Sequence, residues 1–137
     1  MGLILDSSVL IAAERKRETV KQLAQRIQSV HGDAESALST ISIIELTHGI
    51  YRARTEFHRD QRRNFMEELC RDMFIHPVSL AIAQLAGRIE GEQAAKGIAI
   101  PFEDLVIGAT AIHLGFDVLT LNEKHFRLIP DLKTVTL

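Results

Sequence analysis

The sequence predicts an α/β fold in three layers, with a central, mostly parallel sheet of four to five strands between two sets of helices. Three observations carry this expectation. Short apolar runs alternate along the chain with longer stretches of helical period, not with two-residue turns. The first run, residues 2–5, is continuously apolar, as in a strand covered on both faces. Gly32 and Gly115 each stand just past a helical stretch, where a left-handed cap belongs.

Taken in order, Gly2, Leu3, Ile4 and Leu5 form the first strand, which stops at Asp6, and a short helix runs on to about Glu14. Val20, Leu23, Ala24, Ile27 and Val30 recur at helical spacing. Residues 37–40 read as a second strand. Ile43, Ile44, Leu46, Thr47 and Ile50 begin the next helix, and a further helix carries Phe65 and Leu69. Residues 74–78 make a third strand whose end Pro77 weakens. Leu80, Ile82, Ala83, Leu85, Ala86 and Ile89 make another helix, broken by Gly97 and Pro101, and residues 105–114 make the last. Residues 118–121 form a fourth strand, and Val135 marks a fifth at the edge.

The length of 137 residues falls within the roughly 100 to 200 residues usual for one domain, so residues 1–137 are expected to form a single unit. With 46% hydrophobic and 25% charged residues the composition is that of a globular protein and excludes disorder or a collagen-like chain. One cysteine, Cys70, makes no internal disulfide and reads as a core residue. No run approaches the roughly 18 apolar residues of a membrane span, and no secretion signal is recognisable, so a cytoplasmic protein is expected. The net charge of −2 excludes a general polyanion binder but not a local basic face.

In such a fold the helix after each strand starts at the carboxyl edge of the sheet, where ligands bind. Asp6 follows the first strand, Glu45 is expected in the first turn after the second, Asp104 opens the last helix, and Asn122 follows the fourth strand. The segment 94–101 has an extended reach of roughly 23 to 25 Å, enough to return along a helix of about 15 residues and bring Asp104 to that edge. Each acid alone is explained by capping: Asp6 as an N-cap, Glu45 in a capping box from Ser42, and Asp104 in an acidic first turn after Pro101. Three acids at one edge are different, because Ser, Thr and Asn cap equally well without mutual repulsion. A hard divalent cation, Mg²⁺ or Mn²⁺, explains the choice, and such a site supports phosphodiester hydrolysis without a nucleophilic side chain.

Four blocks carry a resemblance. They run over residues 3–11 (LILDSSVLI), 39–50 (STISIIEL with Gly49 and Ile50), 103–111 (EDLVIGATA) and 119–132 (LTLNEKHF, then IPDL). In this order and spacing the chain resembles the PIN-domain ribonucleases, and in particular the VapC toxins of toxin-antitoxin systems. The resemblance implies a Mg²⁺-dependent endoribonuclease, with Mn²⁺ as a substitute, in which Asp6, Glu45 and Asp104 hold the metal and Asn122 joins them in catalysis. It implies a PIN-like α/β/α fold, an RNA substrate (tRNA, rRNA or mRNA), a VapB-like antitoxin and a homodimer. Relatives often carry a fourth acid at or after the fourth strand. Here Asn122 occupies that region, and His125 stands before Phe126 where relatives often have Asp. Glu123 is the nearest substitute acid, Thr120 is placed to hydrogen-bond a ligand carboxylate, and Ser7 is a supporting residue.

Arg15, Lys16, Lys124 and Arg127 flank these motifs and are the expected contacts to an RNA backbone. One Tyr and no Trp leave little for base stacking, so recognition by shape or of an exposed loop is expected. Competing phosphate chemistries lack their residues. Ser8 stands where a haloacid-dehalogenase-like phosphatase needs a second Asp, and neither a dinucleotide fingerprint nor a phosphate loop is present. The alternative from another class is a catalytically weak PIN-like module that binds RNA or protein.

Overall fold

The structure, a computed structural model, describes residues 1–137. Its strands are β1 (Gly2–Leu5), β2 (Glu35–Ser39), β3 (Phe74–His76), β4 (Asp117–Leu119) and β5 (Thr134–Val135). Its helices are α1 (Ser7–Arg15), α2 (Val20–His31), α3 (Thr40–Arg52), α4 (Glu56–Asp72), α5 (Leu80–Ala94) and α6 (Phe102–Leu114), with a single 3-10 turn at Phe126–Leu128. The five strands lie in the order β3-β2-β1-β4-β5 and every neighbouring pair is parallel. The sheet is thus wholly parallel, where the sequence reading asked only for a mostly parallel one.

β1 shows why the sheet is covered on both sides. Leu3 and Leu5 enter one apolar cluster with Val9, Leu10, Leu23, Leu38 and Leu69. Ile4, between them, enters the other, with Ile82, Ile89, Leu105, Ile107, Val118 and Phe126. This is strand alternation with both faces apolar. The chain travels from β1 outward through β2 to β3, then crosses back by α5 and α6 to place β4 on the other side of β1. The direction of winding therefore reverses between β1 and β4, and such a reversal opens a crevice at the carboxyl ends of the strands.

Boundaries differ from the sequence reading where polar residues pair. Glu35 and Ser36 belong to β2 because their backbones pair with Gly2 and Leu3, although the strand is polar at that end. Thr40 opens α3 instead of closing β2, since the Ser39 hydroxyl accepts from the Ile41 amide and starts the helix there. β4 stops at Leu119, and Leu121 leaves the sheet, its amide donating to Ser8 Oγ at 3.1 Å. β3 stops at His76, just before Pro77. Cys70 is exposed, not in the core, because the neighbouring Leu69 takes the buried face of α4.

α2 is held at its start by a reciprocal capping box between Thr19 and Gln22. α6 ends at Gly115, whose φ of 70° and ψ of 30° are left-handed. Gly87, by contrast, is exposed inside α5 with open space where a Cβ would sit. The same substitution should therefore act with opposite signs. Gly87→Ala is expected to stabilise the fold by about 0.5–1 kcal/mol, and Gly115→Ala to destabilise it by about 1–2 kcal/mol. Chemical denaturation of the two variants checks this, and equal signs would contradict the backbone assignment.

Candidate metal centre

Asp6 occupies the N-cap position of α1, yet its carboxylate caps nothing. Its backbone amide donates to Leu119 O at 2.9 Å, which fixes the end of β1 against the end of β4. Its Oδ2 accepts from Ser8 Oγ at 2.7 Å and from Thr120 Oγ1 at 2.8 Å. Each of those hydroxyls in turn accepts a backbone amide, Leu121 N on Ser8 and Asn122 N on Thr120. A hydroxyl has one proton to give, so these amides leave both protons for Asp6. The residue is buried to 6% exposure and its carboxylate is anchored through one oxygen, with no hydrogen bond from the protein on Oδ1.

The other acids approach from two further helices. Glu45 lies in the second turn of α3, one turn later than the sequence reading placed it, because the helix starts at Thr40. The capping box expected from Ser42 does not form, since Ser42 is inside the helix, buried, with no partner for its Oγ. α6 presents two acids in its first turn, Glu103 and Asp104. Successive helical residues point about 100° apart, and these two diverge accordingly. Glu103 Oε1 accepts from Ser7 Oγ on α1 at 2.6 Å, while Asp104 Oδ2 accepts from His125 Nδ1 at 2.9 Å.

The electrostatics show that these side chains share one field. Half-burial, first of all, pushes Glu103 up to about 8; a hydrogen bond with Glu45 and the charges of Glu45 and Asp6 add to it, and Ser7 opposes it. Asp104 is raised as well, by burial first, with His125 pulling it back and Asp6 and Glu45 pushing it further. None of Asp6, Glu45 and Glu103 has a Lys or Arg partner, and the partner of Asp104 is a histidine. Elsewhere three partly buried acids are matched with cations, Glu14 with Arg62, Glu18 with Arg26 and Asp117 with Lys133, while Glu68 accepts the Val20 amide.

The donor set suits a hard divalent cation: carboxylate oxygens, one of them free on an anchored Asp6, and no thiolate. As the side chains stand, no three of them converge tightly enough to grip one ion, and Glu45 and Glu103 lie against each other.

The remaining sequence-selected residues fall in different places. Ser7 and Thr120 do hold acids, Glu103 and Asp6 respectively. Asn122 is exposed and its side chain reaches none of the acids. Glu123 does not serve as a substitute acid: one oxygen pairs with Arg127 and the other accepts from Thr134 Oγ1 at 3.0 Å. Arg127 is neutralised by the same pairing. Arg15 shares a groove with Glu45, Arg52 and Arg62, whereas Lys16 lies in a separate depression with Glu18 and Arg26. Lys124 is exposed and unpaired. Sequence reasoning passed over Glu103, absorbed into an acidic first turn, and Ser8, used only to exclude a phosphatase. The signal for Ser8 was its position two residues after Asp6; for Glu103 there was none, since both helix faces were open.

A family model described as the PIN domain matches residues 3–132. The chain belongs to the PIN domain family. Two curated relatives cover this PIN domain almost end to end. It is 33% identical to "Ribonuclease VapC" of Rickettsia bellii and 34% identical to "Ribonuclease VapC1" of Rickettsia felis, each over 99% of this chain and 96% of the relative. Among solved structures it is similar in fold to the VapBC2 complex of Rickettsia felis bound to a promoter DNA fragment, with a TM-score of 0.85 and 22% identity over 100% of this chain and 99% of that one. It is likewise similar to the DNA-bound VapBC complex of Salmonella typhimurium, at 0.83 and 20% over 99% and 98%. No helix is long and apolar enough to cross a membrane.

In this PIN domain the crowded acids set a pH dependence. Glu103 binds its proton more tightly folded than unfolded, so its contribution to stability is complete below about 4.5 and is lost as pH rises towards about 8. In chelator, Tm is expected to fall by a few degrees between pH 5 and pH 8, and Glu103→Gln to flatten that slope. Calorimetry across this window checks it; a wild-type slope retained in Glu103→Gln would contradict the shared field.

Proposed function

We propose that this chain is a divalent-cation-dependent endoribonuclease and the toxin of a toxin-antitoxin pair. The observation that carries the reading is the set of neighbouring carboxylates at the β1/β4 crevice, left without Lys or Arg in a protein that pairs Glu14, Glu18 and Asp117 with cations. The near full-length match to curated ribonucleases named VapC supports the reaction class.

Asp6, Glu45 and Asp104 would hold Mg²⁺, with Mn²⁺ as a substitute. When bound, the cation supplies a more acidic water and neutralises charge developing on the phosphate. The residues of the chain do the rest. Ser8 and Thr120 hold Asp6 through Oδ2 and leave Oδ1 free of protein donors, and orienting bonds of this kind tune ligands directly. His125 turns Asp104. Asn122, exposed beside Thr120, would hydrogen-bond the substrate instead of the metal. Arg15, on the groove that Glu45 also lines, and the unpaired Lys124 would meet RNA phosphates. The substrate would be a tRNA, rRNA or mRNA read by shape.

Two partners complete the proposal. A VapB-like antitoxin would cover the crevice, a reading supported by the VapBC complexes with the same fold. A homodimer would use exposed apolar side chains such as Phe57, at 56% exposure, and Leu80, at 75%. The protein would act in the cytoplasm.

Protein purified free of partners should cleave RNA in Mg²⁺ or Mn²⁺ and not in chelator. Asp104→Asn is expected to lower the rate by at least roughly 100-fold, beyond the 10- to 100-fold typical of losing an orienting residue. Equal cleavage in chelator would sink the metal mechanism. RNA binding without cleavage in any metal would assign the chain to binding.

A further inference from the structure

We propose that the fourth carboxylate of the metal centre is Glu103, supplied by the first turn of α6 instead of by the loop after β4. This rests on the metal-dependent reading above. The loop after β4 offers nothing in its place. Of its two acids, Glu123 has both oxygens engaged by Arg127 and Thr134, and Asp131 lies beside Arg88 and Glu92 of α5. Asn122 is exposed and its side chain is unbonded to the acids, and His125 is committed to Asp104.

Glu103 stands differently. It is half-buried, its Oε1 is held by Ser7 Oγ at 2.6 Å, and its carboxyl meets that of Glu45. The ordinary reading is an acid favoured by the helix dipole, but a dipole acid gains as much by facing water. Asp104, one residue on, already occupies that position in the same turn. Glu103 instead turns inward against another acid, and the protein supplies no cation there. Where Glu14, Glu18 and Asp117 are covered to 11–17% side-chain exposure, Arg62, Arg26 and Lys133 accompany them. No Lys or Arg reaches Glu103 or Glu45, and on this proposal a cation from solution takes that place. Ser7, adjacent to Asp6 in sequence, ties Glu103 to the same corner as the anchored Asp6.

The set is then Asp6 from the end of β1, Glu45 from α3, and the consecutive pair Glu103 and Asp104 from α6. The two α6 side chains reach opposite flanks of the crevice, Glu103 towards α1 and α3 and Asp104 towards the loop after β4. A site built this way depends on the first turn of α6 where a site with an acid after β4 depends on that loop.

The test is Mn²⁺ binding to the full chain by calorimetry, without RNA, for wild type, Glu103→Gln, Glu45→Gln and Glu123→Gln. Glu103→Gln is isosteric and spares the Ser7 contact; if it does not fold, Ser7→Ala, which only frees Glu103, takes its place. The expected result is a loss of roughly 10- to 100-fold in Mn²⁺ affinity for Glu103→Gln, several-fold for Ser7→Ala, and no change for Glu123→Gln. Wild-type affinity in Glu103→Gln beside a loss in Glu45→Gln would overturn the role of Glu103 and leave the metal reading standing. A loss in Glu123→Gln equal to that in Glu103→Gln would also overturn it. No Mn²⁺ binding by wild type would overturn both.

Discussion

The parallel pairing of β1 with β4 is the constraint on which the site depends. It joins two stretches of chain 114 residues apart and sets Asp6 against Thr120 at the one place where the sheet reverses its winding. The bond from the Asp6 amide to Leu119 O fixes that junction, and the hydroxyls of Ser8 and Thr120 convert it into a fixed carboxylate. Every other acid is positioned relative to this corner. Loss of the β4 register by one residue would turn Thr120 to the other face and leave Oδ2 of a buried aspartate without donors.

The same arrangement sets stability against function. An acidic residue at a helix start is normally stabilising, and α6 starts with two. Here their carboxyls are partly buried and face Asp6 and Glu45, so the gain at the helix end is opposed by repulsion and lost hydration. The hydroxyls of Ser7, Ser8 and Thr120 reduce that opposition without cancelling charge, and His125 eases it at Asp104, as the proposed cation site would require. A lysine in the same corner would stabilise the fold more and exclude the ion.

The sequence made much of the fold legible for a specific reason. Apolar runs such as 2–5 admit one reading when both faces of a strand are covered, and Gly32 and Gly115 mark helix ends by backbone chemistry alone. Where the rule is pairing instead of hydropathy, legibility ended. Glu35 and Ser36 are strand residues only because Gly2 and Leu3 lie beside them. The site divided in the same way. Asp6 and Asp104 stood out because they sit at a strand end and a helix start, and Glu45 because the sequence places it near a helix start that the structure sets one turn earlier. Glu103 and Glu123 were indistinguishable in sequence, each an acid beside a motif; their roles differ because Ser7 turns one inward, whereas Arg127 and Thr134 hold the other.

Charge pairing also explains how a chain of net charge −2 can present a polyanion with an attractive surface. Arg26, Arg63, Arg71, Arg88 and Arg127 are spent on neighbouring acids, which makes their surroundings locally neutral. Arg15 and Arg52 have no acid partner and open onto the groove that Glu45 borders, with Arg62 held there by Glu14 and by Gly49 O. Attraction falls away beyond roughly 8–10 Å at physiological salt, so a local cluster governs where a phosphate settles while the net charge does not. On the proposed function, a nucleic-acid backbone drawn to Arg15 and Arg52 would lie beside Glu45, where the carboxylates would repel it unless a cation intervened. The basic groove and the acidic corner would then work as a pair, the first attracting the strand and the second admitting it only with a cation in place.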